Sequence, residues 1–286
     1  MEIRFRRSEY ILLFYFAYTS VLACVLPLRD PIPLVTVGIN LLALAGLLLL
    51  AAVESNSKNQ LLNGLRGFFP LPMVLLAYRE MGWFARPMLS HDLENSWIAW
   101  DQMVLPTLHS AVEVFGALVP SILEIAYGLA SPTPLMAILI LSVLKRQDRL
   151  DAFWFSFLLS TFLSYSLFPY FPSEPPRTIF PLDNVPTFNT IFRQFNFDLL
   201  GEHGIRTSVF PSAHVSAGFG AAIGLWSALP ERRWLWGSFL VLASLITIAT
   251  VYGRYHYAVD ALAGLGVSAV ALSVTIYLKN YWSKQG

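Results

Sequence analysis

Long apolar runs dominate this 286-residue chain and constrain its fold more than any other feature. A helix that crosses a bilayer needs about 20 mostly apolar residues. Runs that approach this length lie near residues 9–28, 33–53, 66–84, 119–145, 151–171, 214–230, 234–252 and 257–278. Only 13% of the residues are charged, whereas a soluble domain carries about 25%. The sequence therefore predicts an all-α fold, a polytopic helical bundle in a membrane.

The positions of Lys and Arg predict how these spans are oriented, because cytoplasmic loops are enriched in both residues. Basic segments lie at the N-terminus and at residues 58–66, 145–149, 232–233 and 279–284. If all of them are cytoplasmic, residues 85–145 cross the membrane once and both termini are cytoplasmic. The polar stretch 91–118 is then expected to be an amphipathic or re-entrant segment on the outer side. A crossing at 119–145, bent at Pro132 and Pro134, would follow it.

The chain is expected to form a single integral membrane domain over residues 1–286, with two N-terminal spans in 1–60 and a six-helix core in 61–286. One cysteine excludes an intramolecular disulfide. No cluster of Cys and His predicts a metal site. A net charge of +1 gives no basic field of the kind that binds nucleic acid, so no nucleic-acid partner is expected.

A proline-rich segment, Phe171-Pro-Ser-Glu-Pro-Pro-Arg177, follows the fifth predicted span. Its prolines fix the backbone φ angle, so the chain leaves the membrane stiffly and presents Arg177 at a defined place. The planar guanidinium of an arginine can donate two parallel hydrogen bonds to a phosphate group. The plainer alternative is an ordinary loop with a solvated arginine.

A second segment, Phe210-Pro-Ser-Ala-His214-Val-Ser216, precedes a run rich in small residues. Ser212 is predicted to cap the helix that starts there, and the free N–H groups of that helix would attract an anion. His214 would then stand in the first turn, at the membrane surface. The alternative is a simple helix start with an interfacial histidine.

A third segment runs from Tyr252 through Arg254 and His256 to Asp260. His256 and Asp260 are spaced i, i+4 and share one helix face, so Asp260 can accept a hydrogen bond from one ring nitrogen of His256. The other nitrogen is then free to act as a nucleophile. An Asp at the head of an apolar span is costly and usually functional. The alternative is a structural His–Asp pair that ties helices together.

The predicted topology places these three segments on one extracytoplasmic face. Phosphoryl transfer requires cationic groups around the phosphate oxygens, a nucleophile in line, and an acid for the leaving group. The three segments supply each of these, so neither a metal ion nor another cofactor is expected.

The three segments resemble the signature motifs of the type 2 phosphatidic acid phosphatase superfamily over roughly the last 130 residues. The Pro-Pro-Arg of the first segment is closest in style to the inositol-phosphorylceramide synthase and sphingomyelin synthase-like, or inositolphosphotransferase, branch. Two positions depart from the phosphatase pattern, since Tyr170 stands where it has Lys and Thr250 stands where it has Arg.

The resemblance implies a role for each candidate residue. His256 would form a phosphohistidine, Asp260 would orient it, and His214 would protonate the leaving alkoxide and then activate the acceptor. The implied phosphate-binding residues are Arg177, with Arg206 or Arg254 as the second cation, and Ser212. The implied activity is that of a lipid phosphate phosphatase or a phospholipid head-group phosphotransferase. Its substrate would be a lipid phosphate or phospholipid, and its acceptor would be water, an alcohol or a polyol.

Two alternatives stay open at this point. The long loop 172–213 is expected either to cover the site and help set the substrate, or to lie on the lipid headgroups as an interfacial helix. The rival function is a transporter or flippase-like protein, whose pathway would use Arg79, Glu80, Glu113 and Glu124. Polar residues that gather at one membrane face, and not through the midplane, favour the enzyme.

Overall fold

A computed structural model describes residues 3–55, 60–85, 90–207 and 209–282 of the chain. Over these ranges the backbone forms thirteen α-helices and no β-strand, which confirms the predicted all-α bundle. Two basic positions used to predict the orientation, Lys58 and Lys284, lie outside the described residues. The helices are α1 (Arg7–Val25), α2 (Ile32–Ser55), α3 (Gln60–Phe68), α4 (Pro70–Phe84), α5 (Asp92–Glu113), α6 (Leu118–Gly128), α7 (Thr133–Val143), α8 (Leu150–Leu167), α9 (Pro176–Ile179), α10 (Ile191–His203), α11 (Ala213–Ala228), α12 (Arg233–Tyr252) and α13 (Ala258–Trp282).

Six helical segments of the described chain are long and apolar enough to cross a bilayer. They are Arg7–Val25, Ile32–Ser55, Leu61–Phe84, Gln147–Tyr170, Arg233–Tyr252 and Ala258–Tyr281. The pair α5 and α6 passes the same test together, but a bend of 113° divides it into a broken span or a re-entrant loop. By length and composition the described chain therefore has six spans, or seven with the bent pair, where the sequence predicts eight.

The two remaining predicted spans differ from expectation for identifiable reasons. The run 119–145 is not one bent helix, because α6 ends at Gly128 and α7 begins at Thr133. Pro132 and Pro134 sit at the start of α7, where their missing N–H groups leave no bond unmade. The run 214–230 forms α11, which has 16 residues and is shorter than the roughly 20 that a span needs.

Helix α11 lies inside the bundle, packed against α8, α12 and α13. Small residues allow this close approach. A Cβ atom added to Gly220 would lie 2.8 Å from the Cβ of Ser160, and one added to Gly224 would lie 2.7 Å from the backbone oxygen of Phe153. The hydroxyl of Ser160 donates to the backbone oxygen of Ser216 at 2.7 Å. Protein thus surrounds the helix that carries His214, and its first turn is held firmly.

The basic segments gather at one end of the bundle. The guanidinium of Arg66 pairs with Glu9 at 2.6 Å, and Arg146 pairs with Glu231 at 3.2 Å. From this end α8 runs toward the proline-rich segment and α12 runs toward the third segment. The candidate site residues therefore lie at the end of the bundle opposite to the basic segments.

Candidate active site

The second and third segments meet through their backbones. Ser212 is the N-cap of α11, as predicted, and its hydroxyl accepts from the N–H of Val215 at 3.4 Å. The N–H of Ser212 donates to the backbone oxygen of Asp260 at 2.9 Å. A Cβ atom on Gly264 would stand 2.7 Å from the backbone oxygen of Ser212, so only glycine fits there without displacement. The start of α11 is thereby fixed against the start of α13.

This contact brings the two histidines together. The ring centroids of His214 and His256 lie 5.6 Å apart, with the ring planes at 63°. His256 is buried, with 4% of its surface exposed. On its other side the His214 ring stacks against Tyr127 at 5.0 Å. Two rings this close can act on the same small group.

The surroundings of His256 determine where its ring proton lies. Its Nδ1 atom is 3.0 Å from the backbone oxygen of Val209 and 3.4 Å from Oδ2 of Asp260. A carbonyl oxygen can only accept, so Nδ1 must carry the proton and the neutral ring has its lone pair on Nε2. Oδ2 of Asp260 also accepts from the N–H of Tyr257 at 2.9 Å, which holds the carboxylate in place.

Burial lowers the pKa of His256 well below its usual value, and the neighbouring His214 and Arg177 lower it further. Desolvation disfavours the charged ring, and a nearby cation repels it. His256 is therefore neutral at neutral pH, and the lone pair on Nε2 is available.

Arg177 lies beside this pair. Its Nη1 atom donates to the backbone oxygen of Tyr255 at 3.2 Å, and its guanidinium stands 5.6 Å from the centroid of the Tyr255 ring. Its charge reaches both histidines. Within the described part of the chain no carboxylate forms an ion pair with Arg177, and burial lowers the pKa of its guanidinium. An anion would restore the missing countercharge.

The two other candidate arginines occupy different places. Arg254 is only 2% exposed, its Nη1 donates to Oδ2 of Asp101 at 2.8 Å, and its Nε and Nη2 have no protein acceptor. Its backbone φ of 63° is in the left-handed region, which is costly for a non-glycine residue. Arg206 is exposed and lines a separate cavity with Arg79 and Trp83. The structure thus brings Arg254, and not Arg206, to the cavity that Arg177 lines.

The two departures from the phosphatase pattern supply no cation here. Tyr170 is 60% exposed, and its hydroxyl lies 3.4 Å from that of Tyr18. Thr250 is buried, and its hydroxyl donates to the backbone oxygen of Thr247 at 2.8 Å. Its backbone oxygen accepts from the N–H groups of Tyr255 and His256, each at 3.0 Å, and so shapes the turn that presents His256.

The loop 172–213 lines a cavity of about 460 Å³ next to Arg177, and neither His214 nor His256 is among the residues that line it. Three arginines line this cavity, Arg177, Arg193 and Arg254, together with loop residues that include Asp183, Asn189, Gln194 and Phe197. Helix α10 in this loop is tied to α6, since Arg193 donates to Glu124 at 2.9 Å. The side chains of Ile191 and Phe195 are 73% and 63% exposed. The loop therefore covers the cavity with one side and presents apolar residues with the other.

Several residues that contact the candidate site were not predicted to do so from the sequence. The ring of Tyr255 stacks on Tyr127 at 3.7 Å and so continues the stack behind His214. Four carboxylates of α5 and α6, at Glu94, Asp101, Glu113 and Glu124, bond to elements of the site. In the sequence, three of them are part of the polar stretch 91–118, and Glu124 lies in the apolar helix α6. No three His, Cys, Asp or Glu side chains of the described residues group closely enough to hold a metal ion.

Comparisons with known proteins identify the family of the chain. A PA-phosphatase related-family protein of Dictyostelium discoideum is 30% identical over 132 residues, which are 44% of this chain and 23% of that protein. The chain thus spans less than a quarter of the length of this relative. No solved structure matches the chain significantly. The family model of the PAP2 superfamily matches residues 98–274, which is more than half of the chain and includes all three segments. The chain belongs to the PAP2 superfamily.

Proposed function

We propose that this integral membrane protein transfers or hydrolyses a lipid phosphate or phosphodiester group through a phosphohistidine intermediate. Membership of the superfamily suggests lipid phosphatase or phosphotransferase activity. The observation that carries the proposal is the pairing of His256, whose Nδ1 faces the Val209 carbonyl and Asp260. This pairing leaves the lone pair on Nε2, in a ring whose centroid lies 5.6 Å from that of His214.

The proposed reaction has two steps. Nε2 of His256 attacks phosphorus, the bond from phosphorus to the leaving oxygen breaks, and His214 gives that oxygen a proton. Burial and Arg177 lower the pKa of His214 to about 4, so His214 takes up this proton when the phosphate anion binds beside it. His214 then takes a proton from water or an alcohol, whose oxygen attacks phosphorus and breaks the bond to Nε2. The Val209 carbonyl accepts the Nδ1 proton of His256, and the carboxylate of Asp260, 3.4 Å from Nδ1, stabilises the positive charge on the phosphorylated ring.

The proposed phosphate site is built around Arg177, whose guanidinium can donate two parallel hydrogen bonds to phosphate oxygens. Arg254 is the better placed of the two candidates for a second cation, because it lines the same cavity and keeps two donors without a protein acceptor. Arg206 stays a candidate that would require movement of its segment. The free N–H groups at the start of α11, which Ser212 caps, would add donors for the phosphate.

The proposed location is a plasma membrane, specifically a bacterial inner membrane, with the site on the extracytoplasmic side and both termini in the cytoplasm. The arrangement of Lys and Arg supports this orientation. We further propose that residues 61–286 form the catalytic core and that residues 1–60 supply two additional spans of the same domain.

The decisive experiment is to incubate the purified protein with a panel of labelled phospholipids and lipid phosphates, with and without polyol acceptors. Mass spectrometry would identify the products. We expect turnover that is lost in the variant His256→Ala. Release of inorganic phosphate without any acceptor dependence would exclude the head-group transferase and leave the phosphatase. The Pro-Pro-Arg resemblance favours transfer to an alcohol.

Full turnover by His256→Ala would contradict both versions. The transporter alternative predicts a different result, namely lipid movement across reconstituted vesicles without any change in the lipid. Measuring lipid movement and product formation on the same vesicles separates the two functions.

A further inference from the structure

Four carboxylates of the bent pair α5 and α6 bond to segments of the candidate site, and the proposed chemistry does not use them. Glu94, Asp101 and Glu124 are at most 2% exposed, and Glu113 lies at the end of α5. Isolated buried carboxylates are costly, so each must be compensated by donors. The donors come from the segments that hold the candidate catalytic residues.

Glu94 bonds to the first segment. Its Oε1 accepts from the backbone N–H of Glu174 at 2.9 Å. Only Pro175 and Pro176 separate Glu174 from Arg177, and their fixed φ angles make this connection stiff. A shift of the backbone at Glu174 would therefore move Arg177 with it.

Asp101 bonds to the third segment on both sides of His256. Its Oδ1 accepts from the backbone N–H of Ala258 at 2.8 Å, and its Oδ2 accepts from Nη1 of Arg254 at 2.8 Å. These donors lie two residues after and two residues before His256. One carboxylate thus holds the turn whose central residue is the proposed nucleophile.

The remaining two carboxylates hold the outer parts of the site. Oε1 of Glu113 accepts from the backbone N–H of Thr187 at 2.9 Å and from the hydroxyl of Tyr252 at 3.0 Å. Oε2 of Glu124 accepts from the hydroxyl of Tyr255 at 2.6 Å. The bent pair is therefore bonded to the proline-rich segment, the covering loop and the turn before His256.

We propose that Glu94 and Asp101 are positioning residues with separate targets, Glu94 acting on Arg177 and Asp101 acting on His256. The proposal rests on the proposed function, in which Arg177 binds phosphate and His256 attacks it. A displacement of about 1 Å in a reacting group can cost on the order of 100-fold in rate. Loss of Glu94 should therefore mainly affect phosphate binding by Arg177, and loss of Asp101 should mainly affect the attack by His256.

The test compares variants of the full chain for kcat and KM on a lipid phosphate that the wild type turns over. We expect Glu94→Ala to raise KM by about tenfold or more with kcat nearly unchanged, because phosphate binding weakens. Glu94→Gln keeps an acceptor for the Glu174 N–H and should restore KM to within about threefold of the wild type. We expect Asp101→Asn to lower kcat by about tenfold or more and to raise KM by less than Glu94→Ala does, because Asp101 holds the turn at His256 and also bonds to Arg254, the proposed second cation.

Asp92→Asn is the matched control, because Asp92 lies in the same first turn of α5 but is exposed. It should leave both constants within about twofold of the wild type. A merely structural role predicts another pattern, in which all buried variants lose kcat in proportion to the folded fraction and none changes KM. That pattern, or a KM effect of Asp101→Asn as large as that of Glu94→Ala, would overturn the proposal.

A readout without turnover separates this proposal from the proposed function. In protein labelled with nitrogen-15 at histidine, the ring signals of His256, assigned by their loss in His256→Ala, report the tautomer and its hydrogen bonds. We expect Asp101→Asn to shift these signals and Asp92→Asn to leave them in place. If the wild type turns over no lipid, the proposed function is wrong, but this measurement still tests the role of Asp101. Unshifted His256 signals in Asp101→Asn would overturn the proposal that Asp101 positions His256.

Discussion

Gly264 and Ser212 touch through their backbones, so closely that a Cβ on Gly264 would stand 2.7 Å from the Ser212 oxygen. Ser212 caps the helix that begins just before His214, and Gly264 lies one helical turn after Asp260. The contact therefore sets the separation between the proposed acid and the residue that orients the proposed nucleophile.

This contact predicts that Gly264→Ala lowers kcat by about tenfold or more, because a displacement of the two helix starts moves His214 away from His256. Forcing a methyl group into a packed position typically costs about 1–3 kcal/mol of stability, so Tm should fall as well. Gly266→Ala is the matched control on the same helix, since no atom lies within 4 Å of its added Cβ. Equal activities of the two variants would show that the contact has no role in the site.

The proposed covalent intermediate predicts acid-labile phosphate on His256. Rapid quenching of the enzyme during turnover of a phosphorus-32-labelled substrate should give labelled protein in the wild type and none in His256→Ala. Asp260→Asn should label more slowly, because the Asn cannot stabilise the charged ring as a carboxylate does. His109→Ala is the control, and it should label like the wild type; labelled His256→Ala protein would assign the nucleophile to another residue.

The lowered pKa of His256 predicts an unusual acid limb in the pH dependence of kcat/KM. The neutral ring is the nucleophile, so activity should persist as pH falls below about 6.5, the ordinary histidine value, until the folded pKa is reached. If kcat/KM instead declines below a pH of about 6.5, and does so in the same way in His214→Gln, the prediction that burial keeps His256 neutral would be wrong.

The same pKa has a consequence for stability. Because the folded pKa of His256 is lowered, the unfolded chain binds more protons than the folded chain once pH falls below the unfolded value. The free energy of unfolding should therefore decrease as the pH is lowered through this range. The variant His256→Asn should lose this contribution, which thermal unfolding at several pH values would measure.

The proposed phosphate site predicts a ranking of the arginines. Arg177→Lys should raise KM by about tenfold or more, because an ammonium cannot donate the two parallel hydrogen bonds of a guanidinium. Arg254→Lys should have a smaller effect, and Arg206→Lys the smallest, because Arg206 lines a different cavity. A KM increase for Arg206→Lys as large as that for Arg177→Lys would move the second cation to Arg206.

The cavity beneath the loop 172–213 predicts that its lining helps set the substrate. Asn189 and Gln194 line it while remaining exposed, so Asn189→Ala with Gln194→Ala should fold normally. We expect these changes to alter the ratio of kcat/KM values for lipid phosphates with large and small head groups. Leu182→Ser, at an exposed loop position outside the lining, is the control. An unchanged ratio would leave the loop as an interfacial segment without a role in selectivity.

Local patterns in the sequence predicted much of the candidate site. The cap at Ser212 depends only on residues a few positions apart, so short-range stereochemistry determines it. The prediction that His256 and Asp260 share a helix face is wrong, because α13 begins at Ala258 and His256 lies in the turn before it, although the two side chains still approach to 3.4 Å. The span count was less predictable, because hydropathy does not distinguish a lipid-facing helix from one that protein surrounds. Helix α11 is apolar because other helices surround it, and at 16 residues it is shorter than a typical span.

The sequence by itself determined an all-α membrane bundle, the three segments and their gathering at one end, because apolar length, charge placement and close spacing are readable along the chain. Only the tertiary structure decided which partners complete the site. The acceptor for the Nδ1 proton of His256 is a backbone oxygen 47 positions away, and the carboxylate that holds the turn around it is Asp101, more than 150 positions away. Such contacts follow from how helices cross and pack, which no local pattern specifies.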